Sequence, residues 1–118
     1  MTDQIPLLKG TLDLLILKSL SVEPTHGYGI SVWLEQRSEQ QITAEDSAIY
    51  QALRRLEGKR LVSASWGMTE NNRKARYYSL TAGGAKHLNT AASTWLRYTQ
   101  WVTAVLESDG GLPSLEVS

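Results

Sequence analysis

Between residues 10 and 107 the apolar positions follow a helical spacing three times, switch to strict alternation, and return to helical spacing for one long final run. In "GTLDLLILKSLS" the residues Leu12, Leu15, Ile16 and Ser19/Leu20 form one stripe, widened by Leu14 and Leu17. That predicts a helix over residues 10–21 buried on more than one side. "SVEPTHGYG" breaks the period with Pro24 and two glycines, and Thr25 is placed to cap a second helix running to about residue 39. Tyr28, Ile30, Val32, Trp33 and Leu34 supply its apolar residues. After the polar link "SEQQITAED", a third helix begins at Glu45 or Asp46, where acidic side chains suit the helix dipole. Its core face is Ile49, Ala52, Leu53 and Leu56, spaced i, i+3, i+4, i+7. Ser47, Gln51 and Arg54 fall opposite, with Tyr50 and Arg55 on the flanks, and the pattern stops near Gly58.

The period then becomes two. Val62, Ala64 and Trp66 alternate with serines in "LVSASWG", and "KARYYSL" is again strand-like. Between them "MTENNR" carries Asn71 and Asn72, which tolerate turn conformations. The reading is a β-hairpin with a basic arm. From Thr81 onward Ala85, Leu88, Ala92, Trp95, Thr99, Val102 and Leu106 alternate spacings of three and four, a heptad seam on a single long helix. The predicted fold class is mainly α with a small β-hairpin: a winged helix-turn-helix over residues 7–81, a C-terminal dimerisation helix over 82–107, and a flexible tail over 108–118. A domain this small cannot cover the whole seam, so the seam asks for a second copy of the chain.

Charge sharpens this picture. The 118 residues sum to zero, yet residues 54–76 hold seven basic side chains against two acidic ones, a net of +5, while residues 1–53 carry −4. Screening limits a charge's reach to about 8–10 Å in physiological salt, so a phosphate backbone feels the local block and not the total. The chain has no cysteine, which excludes disulfides and thiolate chemistry. The opening "MTDQIPLLKG" lacks the basic region and cleavage site of a secretory leader, and the apolar run near Leu12 is too short to span a bilayer. The expectation is a cytoplasmic protein with no membrane contact.

The segments "LLKGTLDLLILKSLS", "HGYGI", "AIYQALRRLEGKRLV", "WG" and "ENNRKARYYSLTAGG", taken in order, resemble the PadR family of bacterial transcriptional regulators. The resemblance covers about residues 7–107 and is most specific from Ile49 to Gly84. It implies promoter binding, repression, release by a small ligand or stress signal, and a homodimer built from the terminal helix and the first one. On this chain that interface would comprise Leu12, Leu15, Leu88, Ala92, Trp95, Thr99, Val102 and Leu106. The family usually carries Gly-Ser or Gly-Thr before the Leu-Tyr of the third helix. Here Ser47-Ala48 stands there after Glu45 and Asp46, so one hydroxyl that could meet a phosphate is missing.

In a helix-turn-helix the second helix of the motif offers its N-terminal side chains to base edges in the major groove. The double-stranded DNA contacts expected here are Ser47, Tyr50, Gln51, Arg54 and Arg55 on that helix, and Arg73, Lys74 and Arg76 on the wing. Gln can pair with adenine and Arg with guanine through two hydrogen bonds each. The plainer alternative makes these a solvated helix face and a charged strand edge that resists aggregation. Lys59 and Arg60, at a helix C-terminus, are assigned to helix stability. Trp33 and Trp66 are expected in the core. Trp95 and Trp101 could stack a planar aromatic effector at the dimer interface, although interface packing alone also favours Trp. His26 and His87 have no ligand-spaced partners, so no metal site and no cofactor is expected, and His26 belongs to the turn opening the second helix. No nucleophile set or phosphate-binding glycine loop suggests an enzyme. A winged-helix adaptor that binds protein instead of DNA is the competing function.

Overall fold

The computed structural model describes residues 10–109. Residues 7–9 of the expected DNA-binding unit, and residues 110–118 of the expected tail, lie outside the described residues. The element order is α1 (Thr11–Val22), α2 (Gly27–Arg37), α3 (Asp46–Gly58), β1 (Val62–Met68), β2 (Lys74–Leu80) and α4 (Ala82–Glu107). The strands pair antiparallel, with Val62 opposite Leu80, Ala64 opposite Tyr78, Trp66 opposite Arg76 and Met68 opposite Lys74.

The core lies where the first three helices meet the base of the hairpin. Ile16, Leu17 and Leu20 of α1, Ile30 and Leu34 of α2, and Ile49, Ala52, Leu53 and Leu56 of α3 are all buried, joined by Val62, Tyr78 and Leu88. Each fully buried branched side chain contributes about 1.5–3 kcal/mol relative to leaving it in water. The predicted core face of α3 is therefore the observed one.

Both helices of the helix-turn-helix end in the same way. After α3, the Arg60 N–H donates to Glu57 O (2.9 Å) and the Leu61 N–H to Leu56 O (3.0 Å), closing a Schellman motif with Arg60 at φ 63°. After α2, Gln40 N–H reaches Glu35 O (2.7 Å) and Glu39 takes φ 54°. The second helix thus stops at Arg37, two residues before the expected end. Ser38 then locks the connection: its hydroxyl donates to Leu34 O (2.8 Å) and accepts from the Ile42 N–H (2.9 Å). Left-handed geometry suits glycine better than arginine. Arg60→Gly is expected to raise stability by about 0.5–1 kcal/mol, read as a higher urea midpoint at unchanged slope and fixed protein concentration.

The start of α2 corrects the expected cap. Thr25 is engaged through its backbone in a bridge to β2, with its N–H on Tyr78 O (3.2 Å) and its carbonyl accepting from the Tyr78 N–H (2.8 Å). The helix therefore begins one residue later, and His26 Nδ1 accepts from the Gly29 N–H at 3.1 Å as the cap. Thr81 does the same for α4, accepting from the Gly84 N–H (2.9 Å), while its hydroxyl is also close enough to donate to Arg60 O or Leu61 O. Gly84 is required there: a Cβ would overlap the Leu61 carbonyl oxygen, so only glycine lets α4 start this close to the end of α3.

That close start draws part of the expected dimer seam into the chain's own head. Leu88 is only 7% exposed and belongs to the chain's own core, and Ala92 packs partly against it. Leu12 and Leu15 are also partly buried within the chain. Farther along, Leu96, Tyr98, Trp101, Val105 and Leu106 are well exposed, with Leu106 at 77%. Among the described residues, no helix is long and apolar enough to cross a membrane.

Candidate nucleic-acid interface

α3 presents Ser47, Tyr50, Gln51 and Arg54 to solvent, because its other side is spent on the core. Tyr50 also packs: a Cβ on Gly27 would strike its ring, so the glycine lets α2 and α3 approach through the tyrosine. The two arginines in the middle of α3 diverge. Arg54 is exposed and makes no ion pair among the described residues. Arg55 leans toward α1 and donates from Nη2 to Asp13 Oδ1 at 2.7 Å. The pair is half in solvent, so it is worth at most about 1 kcal/mol, but it turns the Arg55 charge toward a carboxylate of its own chain.

The hairpin stands beside this face. Its turn is closed by the Thr69 N–H on Arg73 O (2.8 Å), the Asn72 N–H on Thr69 O (2.9 Å) and the Arg73 N–H on Thr69 Oγ1 (3.2 Å). Asn72 takes the left-handed conformation expected of that pair of asparagines, at φ 64°. Arg73, Lys74 and Arg76 are all exposed. Arg76 reaches back to α3, donating to Glu57 Oε2 at 2.9 Å. The structure therefore brings Arg54, Arg73, Lys74 and Arg76 to neighbouring elements, and sets Arg55 to one side.

The opposite face of the hairpin is braced. Tyr77 donates its hydroxyl to Met68 O (3.2 Å) and meets the His26 ring edge-on at 5.2 Å. Tyr78, on the core side, has its phenol pushed above the usual value by burial, which Arg76 partly opposes. The bridge through Thr25 and these ring contacts tie the wing to the start of α2.

Trp66 corrects the other core expectation. It occupies the row of Val62 and Ala64, as the alternation required, but is 62% exposed. The strand outruns the core: beyond Ala64 that row leaves the buried cluster. The ring instead lies under two cations, with Lys74 Nζ 5.2 Å and Arg76 Cζ 5.9 Å from its centroid. Trp33, by contrast, packs against the core as predicted, with Arg37 over its ring at 5.6 Å.

A groove of about 500 Å³ runs between α1 and α4, with Gly10, Thr11, Asp13, Leu14 and Leu17 on one wall and Ala91, Thr94, Trp95 and Tyr98 on the other. Thr11 Oγ1 is buried without a hydrogen-bond partner among the described residues. A second apolar hollow continues it along α4 over Tyr98, Trp101, Val102, Val105 and Leu106. Trp95 and Trp101 thus line two successive stretches of one surface. Among the described residues, no three His, Cys, Asp or Glu side chains gather as metal ligands.

The sequence profile of the family described as "Transcriptional regulator PadR-like family" matches residues 16–90, from within α1 through α2, α3 and the wing to the first turns of α4. The chain belongs to this PadR-like family. It is a family of transcriptional regulators, not of enzymes. Solved structures agree with the PadR-like assignment. A Streptococcus mutans protein is 27% identical, with 88% of this chain and 93% of that one covered, at a TM-score of 0.76. A PadR-like transcriptional regulator of Bacillus cereus is 25% identical, covering 86% and 97%, at 0.74. Bacillus subtilis PadR, solved in complex with operator DNA, shares the fold at 23% identity and a TM-score of 0.61, over 69% of this chain and 46% of its own longer one.

Proposed function

We propose that this PadR-like regulator is a homodimer that binds a pseudo-palindromic operator and represses transcription, with residues 7–81 as the DNA-binding unit and 82–107 as the dimerisation helix. The observation that carries the reading is that α3 and the hairpin pack together and carry Arg54, Arg73, Lys74 and Arg76, all exposed, in a chain with no net charge. The fold shared with an operator-bound PadR supports it. Ser47, Tyr50, Gln51 and Arg54 would face base edges, and the wing cations would take backbone phosphate. Arg55, committed to Asp13, would contribute less than the sequence suggests. Arg54→Ala is therefore expected to weaken operator binding by about 10-fold or more, the value of one charge-assisted contact, and Arg55→Ala by a few-fold at most.

Dimerisation is supported by the exposed apolar length of α4 and the groove continuous with it. The seam would use Trp95, Thr99, Val102 and Leu106, with Tyr98 and Trp101 beside it, while Leu88 serves the fold. Leu12 and Leu15 would complete the interface from α1. A planar aromatic effector stacking on Trp95 or Trp101 would act at this joint, in the cytoplasm where the operator lies.

The test is fluorescence anisotropy of a labelled duplex from the gene's own upstream region, beside a scrambled duplex, each at two salt concentrations. A preference of about a thousandfold for the upstream duplex marks a specific regulator. Absence of binding to either duplex at low salt would sink the reading in favour of the protein adaptor.

A further inference from the structure

We infer that Trp66 is a DNA-contact residue of the wing: its indole seats a deoxyribose of the backbone and holds Lys74 and Arg76 against the phosphates on either side. The inference deepens the DNA-binding reading and rests on it. An indole that is 62% exposed is not serving the core, and Met68, next on the same row, is also open to solvent at 58%. Both cations belong to that row. Arg76 is directly opposite Trp66 and Lys74 directly opposite Met68, so all four side chains rise from one face of the hairpin.

The ring attracts both cations through its negative face, at 5.2 and 5.9 Å. Long side chains that would otherwise sample many rotamers are thereby gathered around one apolar plate. Arg76 is also paired with Glu57, which orients it and offsets part of its charge, so Lys74 is the freer cation of the two. The product is a small apolar centre with cationic edges. A sugar-phosphate backbone has the matching pattern, an apolar sugar between two anions, and such contacts position a protein without reading sequence. The neighbouring charges are mixed: Arg73 adds positive charge at the turn, exposed Glu70 in the same turn opposes it, and Glu57 of α3 is matched to Arg76.

The experiment uses the full chain and the upstream duplex. Trp66→Ala is expected to weaken binding by about tenfold and to lower the log–log salt slope by about 1–2, because each phosphate no longer neutralised removes about 0.9. Trp66→Phe should recover most of both, since a phenyl ring keeps the plate and much of the attraction for the cations. Duplex should also change the wild-type tryptophan emission by an amount that Trp66→Ala abolishes. The melting temperatures of the variants should match the wild type, as the ring covers no core. Wild-type binding with an unaltered affinity and slope in Trp66→Ala would overturn the inference alone. Failure of the wild-type chain to bind any duplex would overturn the DNA-binding reading and the inference together. If Trp66→Ala fails to fold, an unchanged wild-type emission on saturating duplex overturns it.

Discussion

Replacing Arg73 and Lys74 together with glutamate is expected to lower operator affinity by about 100-fold or more and to leave the fold intact. Both side chains are exposed and neither makes an ion pair among the described residues, so the native chain loses little when they change. Each is placed to make a charge-assisted contact worth about 1.5–3 kcal/mol, and two such contacts account for the factor. Reversal goes further than removal, because a carboxylate near phosphate adds repulsion. The salt dependence should flatten by about 0.9 for each phosphate that a wing no longer neutralises. Anisotropy across a salt series measures both quantities. An adaptor that recognises protein through another surface would keep its partner affinity in this variant, and near-native operator binding would remove the wing from the interface.

The second large effect concerns assembly. If the chain dimerises as proposed, Val102→Glu with Leu106→Glu should convert the dimer to a monomer and weaken operator binding by roughly 100- to 1,000-fold. Two half-sites bound by one dimer gain from effective concentration, and that gain is commonly about 10²–10⁴. Val102 and Leu106 lie on the exposed distal part of α4, far from the residues that hold the head together. Charges there stay in contact with water in the single chain and would be buried only against a second copy, where leaving them unpaired is costly. Light scattering gives the mass and anisotropy the affinity. A wild-type chain that is already a monomer at micromolar concentration would defeat the assembly proposal. A variant that remains dimeric would move the interface elsewhere, with the α1–α4 groove the next surface to alter.

The sequence was readable wherever one physical requirement set the pattern. On α3, burial alone fixes Ile49, Ala52, Leu53 and Leu56, so the face and its limits were legible, and the wing followed from the change of period. Misreadings arose where two requirements met at one residue. Thr25 has a side chain suited to capping, but its backbone is taken by the bridge to Tyr78, a partner 53 positions away that no local pattern reveals. Trp66 obeys the alternation, yet alternation gives the face and not how far the core extends under it. Its nearness to the polar turn was the available signal: only the base of a seven-residue hairpin can reach helices this short. Leu88 fits the heptad as well as Leu106 does, and only the approach allowed by Gly84 separates core from free surface. Arg55 was read on the flank of α3, and its pairing with Asp13 at 2.7 Å joins positions 42 apart that no local pattern links.

The anchored start of α4 gives the helix the mechanics of a lever. Its 26 residues extend about 39 Å at 1.5 Å per residue. Its first turns are clamped to the head through Thr81, Gly84 and Leu88, while the exposed end is where a second copy would join. A tilt of about 5° at that joint swings the opposite end by roughly 3.4 Å, close to one base-pair step along the duplex. A molecule wedged beside Trp101 would then need only a slight angular change to throw the two reading heads out of phase with the operator. On the proposed dimer, lengthening the spacer between half-sites by one base pair should mimic that change and reduce the affinity of the ligand-free protein.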